Sequence, residues 1–160
     1  MNKLKNIVLQ LAAVLLTMLS LSVSADHKAF HADSMKQIEK QYAGKSFLVV
    51  LWEISCFPCH EEMGLLGKLK QEHPDANIVM ISTDNISKQA EITAMLESHD
   101  LGHIDSWLFA DPNVEKLRYS IDPEWFGELP CNYIYDTDSS RIGMSGKLTQ
   151  EVLDEWLKES

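Results

Sequence analysis

The sequence of 160 residues predicts an α/β domain of three layers, in which helices cover both faces of a central mixed sheet. Short apolar runs rich in branched side chains, typical of buried strands, alternate with amphipathic segments that are typical of helices. Two further strands joined by a polar turn, and then a final helix, end the chain. This alternation is the pattern of a sheet packed between two layers of helices.

The first half of the chain contains two buried strands and the helices that flank them. Gly44 ends the first helix, because glycine is common just past a helix C-terminus. His73-Pro74 ends the second, because the residue before a proline disfavours helical backbone. The predicted elements are a helix over 26–44, a strand over 46–53, a helix over 57–73 and a strand over 77–83.

The second half continues the alternation and closes with a hairpin. Polar residues at 136–140 form the hairpin turn, and Thr149 caps the final helix. No repeat or long linker interrupts this half, so a single domain is expected. The predicted elements are a helix over 87–99, a strand over 107–109, a helix that begins at 111–113 and extends through Tyr119, strands over 131–135 and 141–144, and the final helix.

The N-terminus has the three-part pattern of a secretory signal peptide. Two lysines precede an apolar run over 7–21, which is too short to span a bilayer comfortably, and small residues up to Ala25 follow it. The pattern predicts a signal peptide over 1–25 and a mature domain over 26–160. An uncleaved N-terminal anchor is the alternative. The bacterial character of the segment predicts a periplasmic protein.

The mature domain is strongly acidic. The whole chain has 14 Lys and Arg residues and 24 Asp and Glu residues. Removal of residues 1–25 takes away two lysines and no acidic residue, so 12 basic residues remain against 24 acidic ones and the net charge is −12. This charge disfavours nucleic acids and anionic membranes as partners. We expect a monomer.

Cys56-Phe57-Pro58-Cys59 joins the first predicted strand to the helix that follows it. Cys56 lies where unpaired backbone N–H groups and the helix dipole favour a thiolate, which is the species that attacks disulfides. Cys59, in the first helical turn, should be more buried and would resolve the mixed disulfide. A disulfide that closes so small a loop would stabilise the fold little. The motif therefore indicates a thiol–disulfide oxidoreductase rather than a structural staple.

Phe57 and Pro58 are expected to tune the redox properties of the pair. Pro58 suits the first helical turn, where its missing N–H costs nothing. Phe57 adds apolar bulk but no positive charge beside the thiolate, unlike a histidine between the cysteines. The expected direction is therefore reduction of substrate disulfides.

Four features of the chain occur together. They are the apolar strand that ends at Trp52 before the cysteine pair, the segment His60-Glu61-Glu62-Met63 after it, an additional helix and strand between Asp84 and Asp111, and Gly127-Glu128-Leu129-Pro130 leading into a strand at Cys131. Together they resemble the thioredoxin superfamily, and within it the exported TlpA-like branch. The resemblance implies a thioredoxin fold with a TlpA-like inserted helix and strand, and exchange of disulfides with other proteins.

The same resemblance implies a substrate-binding role for the segment before the fourth predicted strand. Pro130 would be a cis-proline, and the backbone of Leu129 would pair with a substrate segment as an added strand. Trp125 and Phe126 lie just before this loop. If exposed, they would form an apolar rim for partner proteins, and if buried they would belong to the core.

The resemblance leaves the proton acceptor for Cys59 unassigned. Plain thioredoxin has a buried aspartate in the strand before the motif, and the matching position here is Val50. Glu53 and Asp84 are the nearest acidic residues in sequence, each at the end of a buried strand. A half-buried carboxyl can have a raised pKa and accept a proton, whereas a solvated loop acid would have no such role. Ser55 replaces the aromatic residue that is usual before the first cysteine.

Two alternative functions use the same motif. Cys56, Cys59 and His60 match the attachment motif of a c-type haem, although the buried strand before the motif disfavours a cytochrome. With Met63 they also form a set of soft ligands for Cu(I), as in a copper chaperone. We expect a redox-active disulfide and no metal or other cofactor.

The expected partners follow from the compartment and the chemistry. They are cysteine-containing exported proteins and a membrane thiol electron donor that restores the dithiol. The third cysteine, Cys131, is interpreted either as a buried core thiol or as a thiol that forms a regulatory or intermolecular disulfide.

Overall fold

A mixed sheet of six strands forms the middle layer of the protein in the computed structural model, which describes residues 27–159. The strands are β1 (Lys28–Phe30), β2 (Phe47–Trp52), β3 (Ile78–Asn85), β4 (Asp105–Phe109), β5 (Cys131–Tyr135) and β6 (Arg141–Ser145). Their order across the sheet is β1-β4-β3-β2-β5-β6. The first four in this order are parallel, whereas β5 and β6 are antiparallel to their neighbours.

Helices connect the strands and cover the sheet. They are α1 (Ser34–Gln41), α2 (Phe57–Glu72), α3 (Gln89–Ser98), α4 (Val114–Ile121) and α5 (Gln150–Glu159), with a short 3₁₀ turn (Ile86–Lys88) leading into α3. Within residues 27–159, no helix is both long enough and apolar enough to cross a membrane. The predicted three-layer α/β architecture with a mixed central sheet is confirmed.

The central strand β2 divides the core into two halves. Val50 and Trp52 point to the face on which α2, α3 and α5 pack, whereas Val49 and Leu51 point to the face covered by α1 and α4. All six side chains of β2 are buried. A strand with helices on both faces must be apolar on both sides, which explains the continuous apolar run in the sequence.

The N-terminal helix predicted over 26–44 is wrong in its first part. Residues 28–30 form β1, which pairs in parallel with β4, and the helix α1 begins only at Ser34. Phe30 is buried against the rings of Trp107 and Phe109. A strand of three residues is too short to show a period, so tertiary pairing rather than local pattern determines it.

The remaining predicted elements are confirmed within a few residues at their ends. The additional helix and strand between Asp84 and Asp111 are α3 and β4. The helix predicted from 111–113 begins at Val114, because the side chain of Asn113 caps it by accepting the Lys116 N–H. The predicted signal peptide over 1–25 lies outside the described residues and stays a prediction.

The architecture brings the cysteine motif and the proline loop to one edge of the sheet. The chain passes from the carboxyl end of β2 directly into α2, and β5 begins beside that same end, with Cys131 opposite Leu51. Because β5 is antiparallel to β2, the segment before Cys131 and the segment after Trp52 leave the sheet side by side.

Candidate active site

Cys56 and Cys59 form a disulfide at the start of α2, with their Cα atoms 5.3 Å apart. Cys56 is the N-cap residue and has extended backbone, and its Sγ accepts the Cys59 N–H at 3.2 Å. Pro58 lies in the first helical turn, where no N–H is needed. A backbone N–H therefore points at the sulfur that would carry the negative charge, which is the arrangement that favours a thiolate.

The two sulfurs differ in accessibility in the expected order. Cys56 is 9% exposed and Cys59 is 1% exposed. The prediction of a partly exposed Cys56 is wrong for the oxidised protein, because its side chain is buried in the core cluster that includes Trp52 and Met63. Cys56 is nevertheless the less buried of the two cysteines, as the roles assigned to them require.

Two aromatic side chains of the predicted site are strongly exposed. Phe57, between the cysteines, is 70% exposed, and Phe126, four residues before Pro130, is 88% exposed. Exposed aromatic surface of this kind is typical of sites that contact other proteins. Phe126 thus occupies the position that the apolar-rim interpretation requires.

Trp125 does not belong to an exposed rim. Its side chain is buried, its Nε1–H donates to the Glu128 carbonyl at 2.9 Å, and the Arg118 guanidinium lies 5.9 Å from its ring centroid. The prediction of a substrate-binding Trp125 is therefore wrong. The indole instead holds the loop that leads to Pro130 against the core, because it links both ends of that loop.

The Leu129–Pro130 peptide bond is cis, which is the geometry that the resemblance implied. The Pro130 carbonyl accepts the Gly146 N–H at 2.8 Å, so the loop is tied to the segment after β6. Leu129 is half-buried and packs against both core clusters. The loop is thereby held at the edge of the sheet where α2 begins.

The two acidic residues predicted as possible proton acceptors lie at this edge but bond elsewhere. Glu53 accepts the Ser55 hydroxyl at 2.7 Å and the Thr83 hydroxyl at 3.4 Å. Asp84 accepts the Ile54 N–H at 2.7 Å and forms an ion pair with Lys88. Both carboxylates therefore stabilise the segment before Cys56.

Glu62 is an acidic residue of the site that sequence reasoning missed. Its side chain is 2% exposed, and Oε1 accepts the Leu148 N–H at 2.7 Å and the Asn132 amide at 2.9 Å. Burial raises the pKa of the Glu62 carboxyl, and these two hydrogen bonds oppose the rise. No local feature of the sequence separates Glu62 from the preceding Glu61, which is exposed.

Glu62 also reaches the part of the core where plain thioredoxin has its aspartate. Asn132, which donates to Glu62, lies directly across the sheet from Val50. Val50 is apolar here, so the carboxyl comes from the helix instead of from the strand. The Asn132 Oδ1 atom is buried and has no hydrogen-bond partner among residues 27–159.

Cys131 lies on the opposite side of the sheet from the disulfide. Its side chain is buried in the cluster that contains Leu51 and Trp125, whereas Cys56 and Cys59 belong to the other cluster. Burial raises the pKa of the Cys131 thiol, so little thiolate forms at neutral pH. These features favour the interpretation as a core thiol.

The described residues contain no cluster of three or more His, Cys, Asp and Glu side chains arranged to hold a metal ion. His60, which the alternative functions would use as a ligand, has its Nε2 atom 2.8 Å from the Ile54 carbonyl oxygen. Since a carbonyl can only accept, Nε2 carries a hydrogen and its lone pair is not free for coordination.

Comparisons with known proteins agree with this geometry. No protein-family model matches the chain. A thiol-disulfide oxidoreductase ResA from Bacillus thuringiensis subsp. konkukian is 26% identical over 127 residues, which are 78% of this chain and 69% of the relative. A ResA from Bacillus cereus is similar to the same extent.

Solved structures share the fold at lower identity. A secreted Mycobacterium tuberculosis disulfide oxidoreductase homologous to E. coli DsbE is 16% identical, with a TM-score of 0.60 over 74% of this chain and 84% of the other. StoA from Bacillus subtilis is 16% identical, with a TM-score of 0.54 over 72% and 84%. The protein therefore has the thioredoxin fold. With its Cys56–Cys59 disulfide, the chain is similar to the thiol-disulfide oxidoreductases of the ResA type in fold, sequence and redox pair.

Proposed function

We propose that the protein is an exported reductase that opens disulfides in other exported proteins. The observation that carries disulfide exchange is the Cys59 N–H directed at Cys56 Sγ at the start of α2. The reducing direction rests on Phe57 and Pro58, which place no positive charge beside that sulfur. A sulfur in that position is favoured as a thiolate once the disulfide is reduced, because the helix N-terminus stabilises negative charge. A protein substrate is what the resemblance implies, since an extended segment would pair with the backbone of Leu129.

The reaction exchanges one disulfide for another. The Cys56 thiolate attacks one sulfur of the substrate disulfide, a bond forms between the two sulfurs, and the second substrate sulfur leaves and takes up a proton. Cys59 then loses its proton and attacks Cys56 Sγ. The Cys56–Cys59 disulfide forms and the substrate leaves with both sulfurs reduced. Two electrons have passed from the protein to the substrate, and a membrane thiol donor would restore the dithiol.

We assign the proton from Cys59 to Glu62. A buried carboxylate with a raised pKa is a better base than a solvated one, and Glu62 lies one helical turn after Cys59. Glu53 and Asp84 are weaker candidates, because both carboxylate oxygens of each already accept hydrogen bonds or an ion pair, whereas the two hydrogen bonds of Glu62 both go to Oε1.

Phe57 and Phe126 would contact the substrate on either side of the reacting sulfurs. Both are largely exposed, and an extended segment next to the cis-proline loop would cover apolar surface on them. The substrate class that fits is an extended, cysteine-bearing segment with apolar residues near the cysteine. Export is supported by the pattern of residues 1–25 and by the secreted protein among the matched structures.

The direction of the reaction is tested by a redox titration of the mature protein in glutathione and dithiothreitol buffers, read by thiol alkylation and mass. A single two-electron transition of Cys56 and Cys59 near −270 mV, about the potential of thioredoxin, supports a reductase. A potential of about −120 mV indicates an oxidant. A pair that does not titrate contradicts the function altogether.

The roles of the two cysteines are tested by trapping. Cys59→Ser should accumulate mixed disulfides with protein partners through Cys56, whereas Cys56→Ser should trap none. The reverse pattern would exchange the two roles. Mature protein recovered from the periplasmic fraction with Asp26 as its first residue would support export, and a retained N-terminus would contradict cleavage after Ala25.

The role of Glu62 is tested by Glu62→Gln, with Glu61→Gln as the matched control. Glu61 is the preceding residue on the same helix, is exposed and pairs with Lys147, so its loss should change the rate little. Removal of a general base typically slows a step by about 100-fold or more. We expect Glu62→Gln to slow release of the substrate from the mixed disulfide by that factor, without slowing the first attack. Equal release rates in both variants would exclude Glu62 as the acceptor.

A further inference from the structure

The segment Glu53–Ser55, which we call the approach turn, connects β2 to Cys56 and is held from two sides. Its middle residue, Ile54, donates its N–H to Asp84 Oδ2 at 2.7 Å. The carbonyl of the same residue accepts the His60 Nε2–H at 2.8 Å. One residue thus has both backbone polar groups bound by side chains, one from the end of β3 and one from α2.

Asp84 is itself rigidly held. Its Oδ1 atom pairs with Lys88 Nζ at 2.7 Å, and its Oδ2 atom also accepts the Ser82 hydroxyl at 3.3 Å. Its backbone N–H donates to the same hydroxyl oxygen at 3.1 Å. Because the carboxylate is nearly buried and fully bonded, it offers the Ile54 N–H an acceptor with little freedom to move.

His60 connects the approach turn to the turn of helix that contains the disulfide. Its backbone N–H bonds to the Cys56 carbonyl at 3.3 Å, while its ring reaches back to Ile54. His60 is therefore hydrogen-bonded to two points of the preceding chain, with its ring to Ile54 and with its backbone to Cys56. His99, whose ring centroid lies 6.4 Å from that of His60, flanks the ring on the side of α3.

We propose that Asp84 and His60 are positioning residues that keep Cys56 Sγ over the first turn of α2 when the disulfide is open. This inference rests on the proposed function, since it concerns the reduced state that attacks a substrate. In the oxidised state the covalent bond to Cys59 places the sulfur. Once that bond breaks, the backbone of Cys56 must be held by the approach turn, because the sulfur benefits from the Cys59 N–H only at close range.

The chain provides matched variants for this test. Asp84→Ala and Asp84→Asn both remove the charge, but only the asparagine keeps an oxygen that can accept the Ile54 N–H. Likewise, His60→Ala and His60→Gln both remove the imidazole, but glutamine keeps an N–H that can donate to the Ile54 carbonyl. The difference within each pair therefore reports the hydrogen bond and not the charge or the ring.

The measurement is the rate of alkylation of Cys56 by iodoacetamide in the reduced protein, as a function of pH and read by mass on the Cys56 peptide. We expect each alanine variant to have a higher Cys56 thiol pKa than its Asn or Gln counterpart. At a pH below the pKa values of both variants, its alkylation rate should be about fivefold lower, the equivalent of one typical hydrogen bond. Urea unfolding of each variant shows whether it is folded, and if one alanine variant does not fold, the other pair gives the test.

Two results would overturn the proposal, and they are distinguishable from failure of the function. If wild type exchanges disulfides and the members of each pair have the same thiol pKa, the approach turn does not position Cys56. If wild-type Cys56 itself has the ordinary thiol pKa of about 8.5, there is no stabilised thiolate for the turn to maintain. Wild type that exchanges no disulfides at all would instead refute the proposed function.

Discussion

Replacing Gly67 with alanine should destabilise the protein, although alanine is the better helix former. Gly67 lies in the interior of α2, where its Cα faces the residue that ends α3. A Cβ atom there would lie closer to the His99 carbonyl oxygen than the 3.0 Å below which real Cβ atoms essentially never approach, and 3.3 Å from the carbonyl carbon. The obstructing atoms are backbone, so neither helix can relieve the overlap by a change of rotamer.

The expected size follows from two opposing terms. Glycine to alanine inside a helix typically stabilises by about 1 kcal/mol. Overpacking costs about 1–3 kcal/mol, and a backbone clash lies at the upper end of that range. We therefore expect Gly67→Ala to lower the free energy of unfolding by about 2 kcal/mol net. Gly64, in the same helix, has nothing within 4 Å of its added Cβ, so Gly64→Ala should raise the free energy of unfolding by up to about 1 kcal/mol.

The assay is urea unfolding of the oxidised wild type and the two variants, followed by tryptophan fluorescence. The two substitutions are chemically identical and lie on one helix. They should nevertheless shift the midpoint in opposite directions, because only Gly67 faces the backbone of another element. A Gly67→Ala variant as stable as wild type would refute the close approach of α2 to the end of α3. A Gly64→Ala variant that is destabilised would refute the use of helix propensity as the opposing term.

Two further predictions concern other parts of the fold. Gly127→Ala should lower stability and slow disulfide exchange, because Gly127 has φ +99° in the loop before Pro130, a backbone conformation that a residue with a side chain rarely adopts. Gly44→Ala is the control, because Gly44 also has a positive φ of +76° but has open space around the added Cβ. This variant should lower the free energy of unfolding by about 1 kcal/mol and leave the rate of disulfide exchange unchanged. Equal exchange rates in the two variants would contradict the argument. Burial and the neighbouring Asp105 raise the pKa of Tyr42 from its usual 10 to about 12, so folding favours the neutral phenol. The resulting stability is present below pH 10 and is lost as the pH rises towards 12. In unfolding curves measured over this pH range, the stability advantage of wild type over Tyr42→Phe should therefore shrink. A constant difference between the two proteins would contradict the prediction.

Local sequence determined the elements of the site that depend on chain neighbours. Pro58 and the cysteine spacing predicted the disulfide at the first turn of α2, because a proline at that point and a cap before it are local requirements of a helix start. The strand over 131–135 was predicted with its observed bounds, because it is bounded by a proline on one side and a polar turn on the other.

Glu62 and Trp125 show what local sequence could not reveal. A glutamate among the helix-forming residues of α2 has the same local pattern whether it faces solvent or Asn132, and the difference comes only from the packing of α2 on β2 and β5. Trp125 and Phe126 are adjacent aromatics with no local feature that separates them. The direction of the loop decides that one indole is buried under Arg118 while the neighbouring ring is exposed.

By itself, then, the sequence determined the α/β class, the order of most elements and the redox pair, because hydrophobic period, helix capping and cysteine spacing are set by residues close in the chain. Only the tertiary structure decided that residues 28–30 form an edge strand, that Cys131 faces away from the disulfide, and that Asp84 holds Ile54 while Glu62 is buried near the pair. Each of these depends on which strand lies beside which and on which face a side chain points to. A contact between residues far apart in the chain leaves no trace in local periodicity, so sheet order and helix packing had to supply it.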